Sequence, residues 1–481
     1  MSYILGIDQS TQGTKAILFD EEANPVKRAD LAHRQIVNEK GWVSHDPEEI
    51  YRNVLRVVRE VVEKAGIPKE KIAALGISNQ RETTLAWNRA GHPLADAVVW
   101  QCGRAENIAR RLAGQAEMIY DKTGLPLSPY FPACKMVWLK EHMTPDSRVS
   151  FGTMDSWLVY RLTGGARYLT DYSNASRTQL LNLETLEWDQ ELCGLFGIPG
   201  NCLPEIKDSN SCFGYTDFHG FLENKIPILA VLGDSHAALF GQGCHKKGMV
   251  KATYGTGSSI MMNIGGEAVH SGAGLVTSLA WGIDGKVDYV LEGNINYTGA
   301  VVTWLKEDMG LIASAGETAA LARDANPADR SVLVPAFTGL SAPYWKEDAR
   351  ALLWGMSRTT GRAEVVRAAL DSIAYQVADV LYAMEQDCGE RIQELRVDGG
   401  PAGNPYLMQF QSDMADTAVY VAEREELSAM GAAYLAGITA GLYDREKVFD
   451  KMGYQKYTPD MSSEQREEKR RRWKEAIGLV L

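Results

Sequence analysis

The order of apolar and polar segments at the start of the chain predicts a β-hairpin. YILGID is an apolar strand, STQGT is a turn rich in hydroxyl side chains and glycine, and KAILFD is a second strand. A turn of this composition can direct several backbone N–H groups and hydroxyls at one point, as a phosphate site requires. An ordinary hairpin turn has the same composition, so this segment alone leaves both interpretations open.

A helix and a further strand follow the hairpin. Asp46 fits the N-cap position and Pro47 fits the first helical position. Apolar residues then recur at helical spacing over residues 50–65, and Gly66 ends the pattern. The apolar segment IAALGIS predicts a buried strand directly after the helix. Strand, helix and strand in this order predict an α/β domain.

The polar residues that end this strand are the first candidates for a ligand site. Arg81 and Glu82 follow IAALGIS and the pair Asn79–Gln80. Open α/β sheets bind ligands at the carboxyl ends of their strands, which favours a functional role for the charged pair. A solvated turn is the alternative interpretation.

The second half of the chain repeats these elements. MVKATYGTGSSIMMNI again has the order strand, Gly/Thr/Ser-rich turn, strand. LRVDGGPAGN is a strand that leads into a glycine-rich turn and a helix beginning near Asn404. Glycines allow close approach of the backbone, and a helix N-terminus favours an anionic phosphate. We therefore expect two related domains, residues 1–243 and 244–481, that face one nucleotide across a cleft.

Composition and charge narrow the class of protein. Of the 481 residues, 45% are hydrophobic and 23% are charged, as in ordinary folded domains. We expect no membrane association or secretion signal, because no apolar run approaches the ~20 residues that span a bilayer. The net charge of −12 argues against a nucleic-acid partner. Seven scattered cysteines without a CxxC pair predict neither disulfides nor a zinc site, and they fit a reducing cytoplasm.

One charged segment and several absent motifs further restrict the possible ligands of the chain. The basic residues of SSEQREEKRRRWKEAIG alternate with glutamates, which predicts a solvated amphipathic helix and not a nucleic-acid patch. The sequence contains no Walker A motif, GxxxxGK[ST], and neither the HRD nor the DFG motif of protein kinases. The two hairpin turns and the turn DGGPAGN, residues 398–404, remain the candidates for holding phosphates.

Two longer motifs make the sequence similar to the FGGY carbohydrate kinase family, and within that family to the glycerol kinases. The first is YFPACKMVWLKEH at residues 130–142, and the second is ALLWGM at 351–356 followed by EVVRAALD at 364–371. Blocks such as GWVSHDPEEI, ISNQRETT, VPAFTGLSAPYW and GAAYLAG extend the resemblance from residue 3 to about residue 442. The resemblance implies two duplicated α/β domains of the actin/hexokinase-like (ribonuclease H-like) type that flank an ATP cleft. It leaves a homodimer or a tetramer open.

The resemblance implies nucleotide and metal positions residue by residue. Asp8, in GIDQST, matches an aspartate that lies near the metal and the phosphates, which implies a Mg²⁺-associated role through water. The positions implied for ATP lie in the hairpin turns, in the turn 398–404 and in the segment TGAVV: Thr11, Gln12, Gly13, Lys15, Thr256, Gly299, Gly400, Pro401 and Asn404.

The resemblance also implies the chemistry of the acceptor site. Asp234, in LGDSH, matches the general base, which accepts the proton of the substrate hydroxyl as the γ-phosphoryl group leaves ATP. Arg81 and Glu82 match a pair that holds two hydroxyls of a polyol by charge-assisted hydrogen bonds. Trp100 and Tyr130 match the aromatic wall of the pocket. Without the resemblance, a loop aspartate and a core tryptophan would be the default interpretations.

Four positions depart from the glycerol kinase pattern. Ser235 replaces a glutamine and Ser259 replaces a phenylalanine in the acceptor pocket, while Ser10 and Gln12 replace glycine and threonine in the first turn. Loss of a phenyl ring removes apolar contact worth ~1.5–3 kcal/mol with a carbon chain. The pocket is therefore expected to take a four- or five-carbon polyol or ketose, unless neighbouring side chains refill the space and leave glycerol preferred. The segment FLENKIPI also lacks the Gly-Gly-Thr-Arg loop that binds a regulatory sugar bisphosphate in some members.

Two classes of function compete at this point. The first is an ATP-dependent kinase that phosphorylates glycerol or a related C3–C5 polyol or ketose, with a xylulokinase-like preference as a variant. The second is an actin- or chaperone-like ATPase that uses hydrolysis as a conformational switch. The acceptor-site residues favour the kinase, because a switch ATPase needs no polyol pocket. Retention of Asp8 and Asp234 argues against a catalytically dead paralogue.

Overall fold

The computed structural model describes residues 2–143 and 148–481. The strands of the first half are β1 (Tyr3–Gln9), β2 (Gly13–Phe19), β3 (Pro25–Ala32), β4 (Ile36–Val37), β5 (Val43–His45), β6 (Ile72–Asn79), β7 (Thr84–Trp87), β8 (Ala97–Val98), β9 (Ser150–Thr153), β10 (Leu169–Asp171), β11 (Glu205–Lys207), β12 (Tyr215–Thr216) and β13 (Ile226–Gly233). Its helices are α1 (Pro47–Ala65), α2 (Glu106–Arg111), α3 (Ala116–Thr123), α4 (Pro132–His142), α5 (Met154–Leu162), α6 (Tyr172–Ala175), α7 (Gln190–Phe196) and α8 (Asp234–Gly241).

The main sheet of the first half has the strand order β12-β13-β6-β1-β2-β3. The predicted hairpin is confirmed as the antiparallel pair of β1 and β2. Strands β1 and β13 both run parallel to β6, and Gln9 and Gly233 are both in register with Asn79. The carboxyl ends of these three strands therefore meet at one edge of the sheet, where a ligand site is expected.

The first predicted helix is confirmed as α1, with the predicted ends. The Asp46 side chain accepts a hydrogen bond from the backbone N–H of Glu48, and Gly66 adopts the left-handed conformation with φ of 63°. The apolar stripe, which includes Val54, Val57 and Val61, is completely buried in the core that this half forms with its sheet. The predicted strand IAALGIS is confirmed as β6, the central strand of the parallel set.

The second half has a separate sheet with the order β16-β17-β15-β14-β20-β21-β22. The strands of the second half are β14 (Met249–Tyr254), β15 (Ser258–Gly265), β16 (Val276–Ile283), β17 (Lys286–Ile295), β18 (Val332–Val334), β19 (Leu352–Trp354), β20 (Glu394–Asp398), β21 (Val419–Ala422) and β22 (Tyr454–Tyr457), of which β18 and β19 pair separately. Its helices are α9 (Gly299–Glu307), α10 (Thr318–Asp324), α11 (Arg362–Cys388), α12 (Pro405–Ala415), α13 (Leu427–Thr439) and α14 (Ser463–Gly478). The second predicted hairpin is confirmed as β14 and β15, and the strand, turn and helix near Asn404 are confirmed as β20 and α12.

The C-terminal helix is confirmed as α14, but one side of it belongs to the core. Trp473 is buried, and its indole Nε1 donates a hydrogen bond of 2.5 Å to Asp379 of α11. The charged remainder of the helix is mostly exposed, as the alternation of basic and acidic residues predicts. Although the amphipathic pattern of this segment is weak in the sequence, the apolar side of the helix packs into the core of the second half.

Helix α13 links the two halves, because it belongs to the second half and packs beneath the first sheet. It contacts β1, β6 and β13, and it crosses α8 closely. The predicted domain boundary at residue 243 lies in the connection between α8 and β14 and stays a prediction. Within residues 2–143 and 148–481, no helix combines the length and the apolar character needed to cross a membrane. All seven cysteines are free thiols.

Candidate active site

The shared edge of β1, β6 and β13 brings three predicted site residues together. Asp8 is in register with Ser78 on the neighbouring strand, and the Ser78 hydroxyl donates a hydrogen bond of 2.9 Å to Oδ1 of Asp8. Arg81 follows β6, and Asp234 follows β13 as the first residue of α8. The Arg81 Nε atom lies 3.3 Å from Oδ1 of Asp234. The candidate metal residue and the candidate base therefore lie along one edge, with Arg81 beside the base.

Arg81 and Glu82 belong to a buried network of four charged side chains. Arg81 donates two hydrogen bonds of 2.8 Å to the two carboxylate oxygens of Glu292. Arg177 donates one of 2.6 Å to Oε1 of Glu82 and forms an ion pair of 3.0 Å with Glu292. Burial alone would raise the pKa of Glu292, but Arg177 and Arg81 hold that pKa well below its usual range. The network therefore contains two cations and two carboxylates that compensate each other.

Arg177 and Glu292 are site residues that sequence reasoning missed. Arg177 lies within a block that resembles the family, and Glu292 ends the apolar run of β17. Both are almost completely buried, with 1% of each residue exposed. Because charged residues are rarely buried unless they are paired, a charged residue inside an apolar strand is the signal that could have identified Glu292.

Hydrogen bonds from neighbouring residues hold Asp234 at the N-terminus of α8. The backbone N–H of Ser235 donates a hydrogen bond of 2.7 Å to Oδ1 of Asp234, and the Ser428 hydroxyl donates one of 3.1 Å to its carbonyl oxygen. The side chain is 32% exposed, so the carboxylate remains accessible. Burial raises the pKa of Asp234 above its usual value, and the adjacent Arg81 guanidinium opposes this shift. The site therefore contains an accessible carboxylate whose basicity is increased.

The two aromatic residues predicted for the acceptor site, Trp100 and Tyr130, contact each other, and Trp100 also contacts the first turn. The ring centroids of Trp100 and Tyr130 are 5.5 Å apart, and the indole Nε1 of Trp100 donates a hydrogen bond of 2.9 Å to the Thr11 hydroxyl. The Lys135 ammonium group donates hydrogen bonds to the carbonyl oxygens of Pro129, at 2.6 Å, and of Tyr130. Burial lowers the pKa of Lys135 to about 7. Lys135 therefore fixes the backbone that carries the Tyr130 ring.

A polar surface on the sheet of the second half contacts the buried charged network through Glu292. Ser259 on β15 and Asn294 on β17 are directly opposite each other in the antiparallel register. The Ser259 hydroxyl and the Asn294 amide lie 3.4 Å and 3.3 Å, respectively, from Oε1 of Glu292. We call Ser259, Glu292 and Asn294 the β15–β17 wall. Asn294 was not identified from the sequence, because nothing in its local pattern indicates which face of the strand lines a pocket.

The first hairpin turn lies beside Trp100, which donates a hydrogen bond to Thr11. The backbone N–H of Ser10 donates a hydrogen bond of 2.8 Å to the carbonyl oxygen of Gly13, which closes the turn. Gln12 is exposed at the tip of this turn. Lys15, which was predicted to contact ATP, forms an ion pair of 2.5 Å with Glu426 of the second half. The structure therefore places Thr11, Gln12 and Gly13 together, with the Lys15 ammonium group directed at the partner domain.

The second hairpin turn meets the start of α9 and the glycine-rich turn after β20. The carbonyl oxygen of Thr256 accepts hydrogen bonds from Thr298 and Ala300, at 2.9 Å and 3.0 Å. A Cβ atom at Gly299 would lie 2.8 Å from the carbonyl oxygen of Gly255 and 3.6 Å from Pro401. Only glycine fits this space without displacing the backbone, so the turn, the N-terminus of α9 and Pro401 form one close-packed cradle. Glycines packed in this way let a phosphate or a nucleotide approach the backbone closely.

Gly400 and Asn404 extend this cradle along a short 3₁₀ turn, Gly400–Gly403. The Asn404 side chain accepts hydrogen bonds of 3.1 Å from the N–H groups of Tyr406 and Leu407, as the N-cap of α12. Its amide also donates a hydrogen bond of 2.9 Å to the Thr318 hydroxyl. The Asn404 side chain is thus engaged in fixing the turn, and its contact with an adenosine group stays a prediction.

Asp8 is suited to a magnesium ion that keeps most of its water ligands. Burial raises the pKa of Asp8 to about 7, although the nearby Lys15 ammonium group opposes the shift. A nearby cation would relieve this cost of burying the carboxylate. Among the described residues, no group of three or more His, Cys, Asp or Glu side chains could hold a metal ion. A single carboxylate with water and phosphate oxygens is a common arrangement for Mg²⁺.

Two family models match the chain. The N-terminal domain of the FGGY family of carbohydrate kinases matches residues 3–241, and the C-terminal domain of the same family matches residues 250–440. The chain therefore has the two-domain fold that the resemblance implied.

Similar proteins and structures agree with these matches over the full length of the chain. Glycerol kinase 1 of Thermotoga maritima is 46% identical, covering 100% of this chain and 99% of that protein, and a glycerol kinase of Stenotrophomonas maltophilia is 43% identical, covering 100% and 98%. The structure of Plasmodium falciparum glycerol kinase with ADP superimposes with a TM-score of 0.94 at 35% identity, covering 100% of this chain and 98% of that chain. The chain belongs to the FGGY family of carbohydrate kinases, as these matches show.

Proposed function

We propose that the protein transfers the γ-phosphoryl group of ATP to a hydroxyl of glycerol or of a related polyol or ketose with three to five carbons. The observation that carries this proposal is the accessible Asp234 carboxylate, 3.3 Å from Arg81, at the strand edge where Asp8 also lies. The similar glycerol kinases support a polyol as acceptor. The fold and the family support ATP as the phosphoryl donor.

In the proposed reaction Asp234 acts as the general base. The acceptor hydroxyl donates its proton to the Asp234 carboxylate while its oxygen forms a bond to the γ-phosphorus atom. The bond between that phosphorus and the β,γ-bridging oxygen breaks, and ADP leaves. Burial raises the pKa of Asp234, which brings a carboxylate closer to the basicity that proton transfer near neutral pH requires.

The charged network supplies the acceptor-binding groups. Arg177 holds Oε1 of Glu82, and among the described residues no hydrogen bond reaches the second carboxylate oxygen, Oε2. Arg81 is held by Glu292 and lies beside the base. Oε2 of Glu82 can therefore accept a hydrogen bond from one substrate hydroxyl, while Arg81 orients another near Asp234. The rings of Trp100 and Tyr130 cover the carbon chain.

The two glycine-rich turns supply the nucleotide site. Thr11, Gln12 and Gly13 face the phosphates from the first half, and Thr256, Gly299 and Gly400 face them from the second. Pro401 and Asn404 shape the adenosine side of the cradle. Asp8 is the residue that would hold Mg²⁺ through water, and the ion, when bound, would supply positive charge to the phosphates. Lys15 joins the two halves through Glu426 and adds positive charge beside Asp8.

We also propose that the protein works in the cytoplasm. Its seven cysteines are free, and four of them are buried, which suits a reducing compartment. The state of assembly, a homodimer or a tetramer, stays a prediction.

The direct test is whether release of ADP requires an acceptor. Purified protein with saturating Mg²⁺ and ATP is assayed with and without glycerol, four-carbon polyols and five-carbon polyols and ketoses, one at a time. The proposal expects ADP release to increase at least tenfold with the best acceptor and to form one phosphorylated acceptor per ADP. Rapid hydrolysis of ATP that no acceptor stimulates would contradict it and would favour a switch ATPase.

A further inference from the structure

The β15–β17 wall contains more hydrogen-bond donors than its central carboxylate can satisfy. Oε1 of Glu292 receives the Arg81 Nη2 at 2.8 Å, the Asn294 amide at 3.3 Å and the Ser259 hydroxyl at 3.4 Å. A carboxylate oxygen offers about two lone-pair directions, so three donors compete for them. The two longer contacts are the weaker ones. Ser259 and Asn294 therefore retain donor capacity for another partner.

The same two side chains also retain acceptor capacity. Among the described residues, Oδ1 of Asn294 accepts no hydrogen bond, and neither does the Ser259 hydroxyl oxygen. Both residues are partly exposed, in contrast to Glu292 between them. A hydroxyl group of a bound ligand can both donate and accept, so it complements this pair better than an apolar carbon chain does.

Arg81 lies between the candidate base, Asp234, and the β15–β17 wall, and this arrangement indicates how a bound acceptor would extend. The Arg81 guanidinium contacts Asp234 through Nε and contacts Glu292 through Nη1 and Nη2. Asp234 and the β15–β17 wall therefore lie on different edges of one planar group. An acceptor whose reacting hydroxyl lies at Asp234 reaches Ser259 and Asn294 only with carbons beyond those held beside Arg81.

We propose that Ser259 and Asn294 bind the distal hydroxyl groups of an acceptor with four or five carbons, and that they make the enzyme select such an acceptor over glycerol. This proposal rests on the kinase function proposed above and names its substrate class. Asn294 and Ser259 act on specificity, because neither touches the base. The pairing of Ser259 with Asn294 also gives a role to two polar residues that lie opposite each other where two largely buried strands, β15 and β17, begin and end.

The test compares acceptor selectivity in three variants with that of the wild type. In the wild type, kcat/KM is expected to be higher for a four- or five-carbon polyol or ketose than for glycerol. Asn294→Ala and Ser259→Ala are each expected to lower kcat/KM for the longer acceptor about tenfold, mainly through KM, because one hydrogen bond to the acceptor is lost. Both should change the value for glycerol by less than about threefold. Ser259→Phe should fill the distal space and shift preference towards glycerol.

Ser258→Ala is the matched control. This neighbouring hydroxyl is buried and contacts Thr298, not the β15–β17 wall, so its removal should leave the ratio of kcat/KM between acceptors unchanged. Thermal unfolding shows which variants are folded. If Asn294→Ala is unfolded, the selectivity of Ser259→Ala and Ser259→Phe tests the inference. Glycerol as the best acceptor of the wild type, or equal effects of the variants on all acceptors, would overturn the inference and leave the kinase function intact. Absence of acceptor-dependent ADP release in the wild type would instead overturn the proposed function.

Discussion

Arg81 and Glu292 form a two-pronged pair of 2.8 Å hydrogen bonds although 211 positions separate them in the sequence. Arg81 follows the central strand of the first sheet, and Glu292 lies on β17 of the second. Planar guanidinium and carboxylate groups fix each other's orientation when they pair in this way. The proposed acceptor pocket is therefore assembled where the two halves of the chain meet, and its geometry depends on both.

Removal of the Glu292 charge should destabilise the protein strongly. Glu292→Gln leaves the buried guanidinium groups of Arg81 and Arg177 with Glu82 as the one carboxylate of their network, and breaking a buried pair typically costs ~3–5 kcal/mol. We expect a loss of this size in the free energy of unfolding, measured by urea denaturation, together with a higher KM for the acceptor.

Glu390→Gln is the control for this prediction. Glu390 pairs with Lys247 at 3.3 Å, and both side chains are about half exposed. Exposed pairs of this kind contribute ~0–1 kcal/mol, so the variant should unfold almost like the wild type. Equal stability of the two variants would show that the buried network does not hold the halves together.

The crossing of α8 and α13 should not tolerate a methyl group. A Cβ atom at Gly431 would lie 1.8 Å from the carbonyl oxygen of Ala237, so Gly431→Ala must force the helices apart. Asp234 begins α8 and Ser428 of α13 bonds to its carbonyl oxygen, so this displacement also moves the candidate base. We expect a loss of ~1–3 kcal/mol in stability and a lower kcat, measured by thermal unfolding and steady-state kinetics.

Gly194→Ala provides the comparison, since Gly194 also lies within a helix but a Cβ atom there would meet open space. Alanine favours a helix by up to ~1 kcal/mol over glycine, so this variant should be as stable as the wild type or slightly more stable. The explanation would be wrong if Gly431→Ala behaved in the same way as Gly194→Ala.

The local elements were predictable from the sequence, whereas the partners of the charged site residues were not. The N-cap Asp46, the strand IAALGIS and both hairpins follow from patterns within a few residues, and the structure confirms them. The placement of Arg81 at a strand end was also correct. Its pairing with Glu292, and that of Glu82 with Arg177, joins positions 211 and 95 residues apart. Such pairings depend on how the two sheets pack, which no local pattern expresses.

The environment of Asp234 predicts a measurable dependence on pH. Burial raises the pKa of this carboxyl group, and only its ionised form can accept a proton. Activity should therefore fall as the pH falls through this raised pKa, above the value of ~3.9 of an unperturbed aspartate. The pKa of Asp234 is read from the acid limb of the pH profile of kcat/KM for the acceptor, measured at saturating ATP and Mg²⁺. An acid limb at or below pH ~3.9, in protein that regains full activity at neutral pH, would contradict this prediction.

The role of Asp234 as the general base is tested most directly by the turnover of Asp234→Asn. The substitution removes the proton acceptor and keeps the size of the side chain, so kcat should fall ~10²–10⁴-fold, as is typical when a general base is lost. Binding of the acceptor, measured by calorimetry with the best acceptor of the panel, should persist because Arg81, Glu82 and the aromatic wall remain. A folded Asp234→Asn variant that binds the acceptor and turns over at a rate close to that of the wild type would contradict the account.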